Sequence, residues 1–153
     1  MSFLEVLFLS LIPTFEGRYA VIYGIARGYP LQETLGASIL GVLILSLLLP
    51  KVLPIVDIIA IKLENTRLRR IAELYINYVN RAREKARPYV ERWGFIGLTI
   101  FVAIPLPGTG VWTGAIAAYF LGIRERTAMA SLILGGLISI ALTTIPTLGI
   151  IKI

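Results

Sequence analysis

The chain has 153 residues, of which 57% are hydrophobic and 16% charged, and its mean hydropathy is +0.83. Soluble domains have about 45–50% apolar and about 25% charged residues, and a small domain has too little interior to bury a large apolar excess. The composition therefore excludes a water-soluble enzyme. The formal charge is nevertheless +6, so this highly apolar chain also carries an excess of basic residues.

The residue types that are missing restrict the chemistry further. The sequence contains no Cys and no His, which excludes thiol nucleophiles, Cys-based metal sites and His-based acid–base pairs. We therefore predict no cofactor, no metal site and no enzymatic activity. The N-terminal segment MSFLEVLFLSLIP has no basic n-region and no small-residue cleavage site, so we interpret it as mature membrane sequence rather than as a signal peptide.

The first predicted element, residues 1–30, is a helical hairpin. Its two apolar stretches, 3–12 and 19–26, flank the polar segment PTFEGR, and each is too short to span a bilayer, which needs about 20 residues. Pro13 breaks the helix because proline lacks a backbone donor and disfavours the helical conformation of the residue before it. We therefore predict a hairpin that enters the membrane and returns, with its irregular tip shielded by protein.

The next two elements are a transmembrane helix over residues 31–56 and a basic connector over residues 57–93. Apolar residues in the connector recur at three- and four-residue spacings, and Arg and Glu fill the positions between them. This pattern predicts an amphipathic helix that lies on the membrane or folds back on the bundle. Pro88 should end or kink it. A solvated connector is the plainer alternative.

The second half repeats the layout of the first. The segment PLPGTG interrupts a second hairpin over residues 94–123, and a second transmembrane helix covers residues 127–151. We predict an all-α integral membrane protein with a single membrane domain over residues 1–153. It consists of two inverted repeats, each a re-entrant helical hairpin plus a transmembrane helix, joined by the amphipathic basic helix. If the broken segments spanned fully, the repeats would instead be parallel.

The charge distribution favours the re-entrant arrangement. It places the basic residues from Lys51 to Arg92 on the same side as Arg124 and Arg126, and leaves Arg27 and Lys152 on the other side. The positive-inside rule then predicts a protein of the cytoplasmic membrane with its basic connector in the cytoplasm.

The two hairpin tips carry the candidate functional residues. Glu16 and Arg18 are the ionisable residues of the tips, and a charge at membrane depth costs about 2.5–3.5 kcal/mol even on the lenient insertion scale. Such residues usually serve a function, here binding of a proton and of an anion. In the plainer interpretation, Glu16 caps the half-helix that begins near Thr14 and Arg18 binds carbonyl groups of the other tip.

The second tip has no charged side chain, but its backbone suits an anion. Gly108 and Gly110 permit unusual dihedral angles, Thr109 can cap the following half-helix, and the N–H groups at that helix start can bind an anion. A tight turn with a close glycine contact between helices is an equally plain alternative. Both tips together give the predicted substrate and proton site: Thr14, Glu16, Arg18, Pro105, Gly108, Thr109, Gly110, Trp112 and Thr113.

The tip segments PTFEGRYAVIYG and AIPLPGTGVWTGAIAA resemble the small multi-drug export protein family over nearly the whole chain. Pro13, Glu16, Arg18 and Ala20 match the pattern P-x-x-E-x-R-x-A of that family, whereas Tyr23-Gly24 departs from it. The segment from Pro105 to Gly114 fits closely. The paired hairpins are also distantly similar to DedA/VTT-type membrane proteins, which are implicated in moving polyprenyl-phosphate carriers and phospholipids between leaflets.

These features predict proton-coupled secondary transport of an anionic lipid or small amphiphile at a site between the tips. The expected partners are membrane lipids, an anionic or amphiphilic small molecule and protons. A homodimer is compatible with the glycine seams. Nucleic acid is not expected, because the connector also carries acidic residues and an apolar face. The alternatives are a DedA-like lipid flippase or scramblase without coupling, and a structural or assembly protein of the membrane.

Overall fold

The computed structural model describes residues 1–151, and Lys152 lies outside these residues. The described chain forms six α-helices and no strand, which confirms the all-α prediction. The helices are α1 (Ser2–Leu11), α2 (Glu16–Ala26), α3 (Leu31–Leu63), α4 (Arg69–Ala103), α5 (Val111–Phe120) and α6 (Glu125–Ile151).

Two helices are long and apolar enough to cross a membrane. α3 has 33 residues and α6 has 27, which correspond to about 50 Å and about 40 Å at 1.5 Å per residue. The hydrocarbon core of a bilayer is about 30 Å thick. α3 continues as helix through Pro50, Pro54 and the predicted boundary at residue 56, and it ends at Leu63.

α1 and α2 form the first hairpin. Ile12, between them, has an extended backbone (ψ 135°), since the following Pro13 disfavours a helical conformation there. At the other end of the hairpin, the Glu5 carboxylate accepts hydrogen bonds from the Tyr23 hydroxyl at 2.5 Å and the Tyr29 hydroxyl at 2.7 Å. The start of α1 therefore lies beside the end of α2, and the two helices run antiparallel.

The second hairpin is formed by the end of α4 and by α5. Gly94 has a non-helical backbone (φ 54°, ψ −121°) that divides α4 into two segments. The first, residues 69–93, is the helical part of the predicted connector and is called the connector below; the second is a half-helix, residues 95–103. Of the two predicted effects of Pro88, an end of the connector is wrong, because the helix continues past it to Gly94, whose missing side chain permits a positive φ. A kink at Pro88 stays a prediction. Gly114 of α5 contacts Leu98 and Val102, and only residues 104–110 join the half-helix to α5, so these two helices also run antiparallel.

The two hairpins lie against opposite parts of α3. Ser2 donates a hydrogen bond to the Glu33 carboxylate near the start of α3, so the open end of the first hairpin lies there. The open end of the second hairpin lies beside the later part of α3, where Pro50, Pro54, Tyr119 and Ile123 line one cavity of about 210 Å³. The tips therefore meet at the middle of the bundle.

The connector folds back on the bundle, which is one of the two arrangements that its amphipathic pattern predicts. Its buried face consists mainly of small residues, namely Ala72, Val79, Ala82, Ala86 and Val90. Its basic residues are exposed, and so are apolar residues such as Leu74 and Trp93. The connector thereby packs a narrow apolar face against the hairpins and reaches the level of their tips.

Candidate functional site between the hairpin tips

The Glu16 carboxylate caps the first turn of α5. Its Oε2 accepts a hydrogen bond from the Val111 backbone N–H and its Oε1 accepts one from the Trp112 backbone N–H, both at 3.1 Å. The residue is only 2% exposed. The N-terminus of a helix has unpaired N–H groups and a partial positive charge, so it stabilises a carboxylate that the protein interior would otherwise disfavour.

The local backbone makes room for this contact. Glu16 has a positive φ of 52°, and Gly110, the N-cap of α5, has φ 114°. A Cβ atom added to Gly110 would overlap sterically with Oε2 of Glu16. A residue other than glycine at position 110 would therefore displace the carboxylate, and its backbone would also be strained.

Arg18 binds the opposite end of the second tip. Its Nη1 donates to the Ile104 carbonyl at 3.0 Å and to the Thr109 hydroxyl at 2.9 Å, and its Nη2 donates to the Thr109 carbonyl. The guanidinium is 4% exposed, and its Nε lies 3.8 Å from Oε2 of Glu16. Because Ile104 is the C-cap of α4, the cation meets the negative end of that helix.

The first hairpin receives a contact in return. The indole Nε1 of Trp112, in the first turn of α5, donates to the Leu11 carbonyl at the end of α1, at 3.2 Å. Each hairpin thus supplies a hydrogen-bond donor to the carbonyl end of the other hairpin. The two tips form one interlocked structure rather than two independent turns.

The structure corrects two details of the predicted site. Glu16 does not cap a half-helix beginning near Thr14, since its carboxylate caps α5 instead. Thr109 does not cap α5, because Gly110 is the N-cap and the Thr109 hydroxyl donates toward the Ile104 and Leu106 carbonyls. The N–H groups predicted to be free for an anion are consequently occupied by the protein's own carboxylate. The prediction that Arg18 binds carbonyls of the other tip agrees with the geometry.

A cavity of about 360 Å³ opens beside the interlocked tips. Its lining combines residues of both tips with one residue of the connector: Pro13, Thr14, Arg18, Tyr19, Tyr78, Pro107, Gly108, Thr109 and Thr113. The only charged residue among them is Arg18. We call this cavity the tip pocket. Of the residues predicted from sequence, Glu16, Gly110 and Trp112 do not line it, and neither does Pro105, which follows the C-cap of α4.

Sequence reasoning missed the aromatic residues of the tip pocket. The Tyr19 ring lies 5.0 Å from the guanidinium carbon of Arg18, and its position next to Arg18 in the sequence was the available signal.

Tyr78 belongs to the distant connector, and its hydroxyl lies 3.3 Å from the Thr113 hydroxyl. Burial raises the pKa of the Tyr78 hydroxyl above its ordinary value, so it is a neutral hydrogen-bonding group. Lys85, also of the connector, lies against Gly108 at the tip.

Comparison with known proteins identifies the family of the chain. A family model described as "Putative small multi-drug export protein" matches residues 16–142, which is most of the chain and includes the second tip and the part of the first tip that carries Glu16 and Arg18. The chain belongs to this family. No curated protein and no solved structure shows significant similarity to it. The family and the two long apolar helices together indicate a membrane protein, and the family name points to transport of small molecules.

Among residues 1–151, no three carboxylate, His or Cys side chains lie close enough together to hold a metal ion. The chemistry that the described site offers is therefore that of one buried carboxylate, one buried guanidinium, hydroxyl groups and the ends of helices.

Proposed function

We propose that this protein is a proton-coupled secondary transporter of a small amphiphile with an anionic head group, which it binds in the tip pocket. The proposal depends on one observation: the Glu16 carboxylate occupies the N–H groups of Val111 and Trp112, which a substrate anion would otherwise bind. These N–H groups do not line the tip pocket, so the substrate anion reaches them from the pocket only after a protonated Glu16 has moved away.

The tip pocket supports an amphiphilic substrate. Its volume of about 360 Å³ lies within the range of small-molecule sites, about 300–1,000 Å³. Prolines and tyrosine rings supply apolar surface, and Arg18 is the charged group of the lining. A molecule with an apolar body and one anionic group would complement this surface.

The competition between Glu16 and the substrate fixes the sign of the coupling. A protonated Glu16 loses its charge-assisted hydrogen bonds to α5, which are about twice as strong as neutral ones, and the freed N–H groups can bind the anion. Proton binding and anion binding therefore strengthen each other, as linkage requires. The proton and the anion should move together in the same direction.

We further propose that both hairpins are re-entrant and that the two halves form an inverted repeat, with the connector reaching the tips from the cytoplasmic side. The antiparallel packing within each hairpin and the opposite ends at which they lie along α3 support this arrangement. In such proteins the binding site lies near the bilayer midplane, where the repeats meet. We also propose that the protein catalyses no covalent reaction.

Transport in proteoliposomes tests this function. A fluorescent arylsulfonate dye serves as the anionic probe and a cationic rhodamine-type dye as the comparison. An inward-directed proton gradient should accelerate arylsulfonate uptake by the wild-type protein. The Glu16→Gln variant should bind the dye but no longer respond to the gradient, because its amide resembles the protonated carboxyl. Glu33→Gln removes an exposed carboxylate near the start of α3 and should leave the response intact.

Four results would contradict the proposal in different ways. A full pH response in Glu16→Gln would show that Glu16 is not the coupling group. Rhodamine transport in exchange for protons would indicate a cationic substrate that competes with the proton at Glu16. Scrambling of labelled lipids without any gradient dependence would favour the uncoupled alternative, and activity that survives loss of both Glu16 and Arg18 would favour a structural role.

A further inference from the structure

A small internal void lies next to Glu16 and is distinct from the tip pocket. Its volume is about 10 Å³, and Glu16, Arg18, Gly110 and Ser139 contribute to its lining. A volume of about 10–15 Å³ accessible to a water centre is the minimum that one water molecule needs. The void is therefore just large enough for a single water molecule.

Two buried polar atoms at this void have no hydrogen-bond partner among residues 1–151. They are Nε of Arg18 and Oγ of Ser139, on residues that are 4% and 3% exposed. An unpaired buried polar group costs about 1–3 kcal/mol. One water molecule between them would accept a hydrogen bond from Arg18 and exchange one with Ser139, while remaining within reach of the Glu16 carboxylate. Buried waters typically make about three such bonds.

The hydroxyl of Ser139 begins a row of hydroxyl groups along α6. Ser139, Thr143 and Thr147 are spaced four residues apart and therefore share one face of the helix. Ser139 and Thr143 are buried, whereas Thr147 is half-buried. The Thr143 hydroxyl donates to the Ser139 carbonyl at 3.0 Å, and the Thr147 hydroxyl donates to the Thr143 carbonyl at 2.6 Å. The row extends from the void toward the C-terminal end of α6. Its Thr hydroxyls donate to backbone carbonyls rather than to one another, so a proton passes along this face only with water between the hydroxyls.

We propose that one water molecule in this void transfers protons between Glu16 and Ser139, and that the hydroxyl face of α6 is the proton path to that side of the membrane. This inference rests on the proposed function, since it specifies how Glu16 exchanges its proton. The proton would thus follow a route separate from the tip pocket through which the substrate passes.

The transfer conserves every atom. The Glu16 carboxyl gives its proton to the water oxygen, while the water gives one of its own protons to Oγ of Ser139. Ser139 in turn passes its original hydroxyl proton to water along the hydroxyl face of α6, and the last water of the path releases one proton to the bulk solution. Each oxygen of the path finishes with the number of hydrogens that it had before, and only Glu16 becomes charged.

Few other charged groups can interfere with this step. Arg18 lies beside Glu16 on the same helix, and the Tyr78 hydroxyl of the connector lies at the tip pocket, 3.3 Å from the Thr113 hydroxyl. The other helices line the void with uncharged residues, namely Val42 of α3, Val102 of α4, Val111 of α5, and Gly136 and Ser139 of α6. Ser139 is therefore the polar side chain that α6 offers to the void.

The test compares proton-driven transport with exchange at equal pH, because exchange does not require the proton to leave Glu16 between turnovers. Proteoliposomes contain the pH-sensitive dye pyranine, and the arylsulfonate dye is the substrate probe. Ser139→Ala should slow gradient-driven dye uptake and proton flux by at least about tenfold, a modest share of the 10²–10⁴-fold that positioned proton transfer contributes. Dye exchange at equal pH should stay within about twofold of the wild type, which also shows that the variant is folded.

Two matched variants complete this test. Ser131→Ala removes another buried hydroxyl of α6, one that donates to the Phe95 carbonyl away from the void, and should leave both rates unchanged. Ser139→Thr retains a hydroxyl and should restore proton-driven uptake. Unchanged proton flux in Ser139→Ala, or an equal loss of exchange and gradient-driven uptake, would overturn the proton path.

A second measurement does not depend on transport. The infrared carbonyl band of protonated Glu16, identified by its loss in Glu16→Gln, reports hydrogen bonding to the carboxyl. The band should shift in Ser139→Ala but not in Ser131→Ala, because only the former removes a partner of the water. An identical band in all three proteins would overturn the water site. If the band shifted in Ser139→Ala while the wild type showed no coupled transport, the proposed function would fail and the water site would stand.

Discussion

Glu16 and Arg18 are two charged residues buried in an apolar bundle, and both meet the end of a helix. Breaking a buried ion pair by removing one partner typically costs about 3–5 kcal/mol, because the other charge is left uncompensated. Here each charge has additional partners, the N–H groups of α5 for the carboxylate and carbonyl groups of the second tip for the guanidinium. Helix ends therefore stabilise both charges, and together the two residues join the hairpins.

The contact between Gly110 and Glu16 can be tested by substitution. Gly110→Ala should lower the free energy of unfolding by about 3 kcal/mol or more, because displacing the carboxylate breaks charge-assisted hydrogen bonds of about 1.5–3 kcal/mol each. Gly122→Ala is the matched control, since Gly122 also has a positive φ, 75°, but a Cβ added there would have no atom within 4 Å. It should cost only the backbone strain, about 1–2 kcal/mol.

Unfolding in detergent micelles by increasing denaturant measures both changes. Equal losses in the two variants would show that the Gly110 effect is backbone strain alone, and that the carboxylate does not depend on the absence of a side chain there.

The half-helices are short elements that depend on their neighbours. α1, α2 and α5 have 10 or 11 residues, and isolated helices shorter than about 12–15 residues are marginal. Glycines permit close packing against the two long helices: Gly41 of α3 contacts Ser10 of α1, and Gly136 of α6 contacts Val42 and Val111. The long helices thus provide the surface on which the hairpins fold and meet.

A substitution at Gly136 tests this close packing between helices. Gly136→Ala should lower the free energy of unfolding by about 1–3 kcal/mol, the usual cost of overpacking, because the added methyl group would collide with Val42 and crowd Val111. Gly149 lies on the same helix with nothing within 4 Å of a Cβ. Gly149→Ala should be neutral or stabilising by up to about 1 kcal/mol, because alanine favours a helix. Thermal unfolding in detergent compares the two, and equal destabilisation would contradict the proposed packing role.

At the scale of the whole molecule, the two hairpins lie at opposite ends of α3 and present their open ends to opposite sides. In the proposed topology, the basic residues of the connector and the turn before α6 share one side. The positive-inside rule would then orient the protein, and the chain would be both strongly apolar and positively charged without a polyanionic partner.

Two single-cysteine variants test this topology, because the chain has no cysteine of its own. Gly28→Cys and Gly122→Cys are well matched: both glycines are exposed, have φ 75° and carry no charge. Re-entrant hairpins place them on opposite faces, so a membrane-impermeant maleimide added to intact cells should label residue 28 and leave residue 122 unlabelled until the cells are opened. Equal labelling of both would indicate that the broken segments span the membrane fully.

The sequence alone was enough to predict the all-helical fold, the two long apolar helices, the breaks at Pro13 and Pro105, and the two charged residues of the tips. These properties depend on local backbone chemistry and on the lengths of apolar runs, which are visible along the chain. The family resemblance carried by the tip segments is likewise a property of the sequence, and the family match confirms it.

Only the tertiary structure decided which partner each tip residue has. Glu16 caps a helix that begins 95 residues later in the chain. Tyr78 of the connector lines the tip pocket, although the sequence of the connector does not indicate a contact with the tips. Helix N-termini and buried hydroxyls accept many partners, so local sequence cannot select among them. The selection results from the packing of both hairpins against α3 and α6, which brings a carboxylate, a guanidinium and the end of a helix to one place.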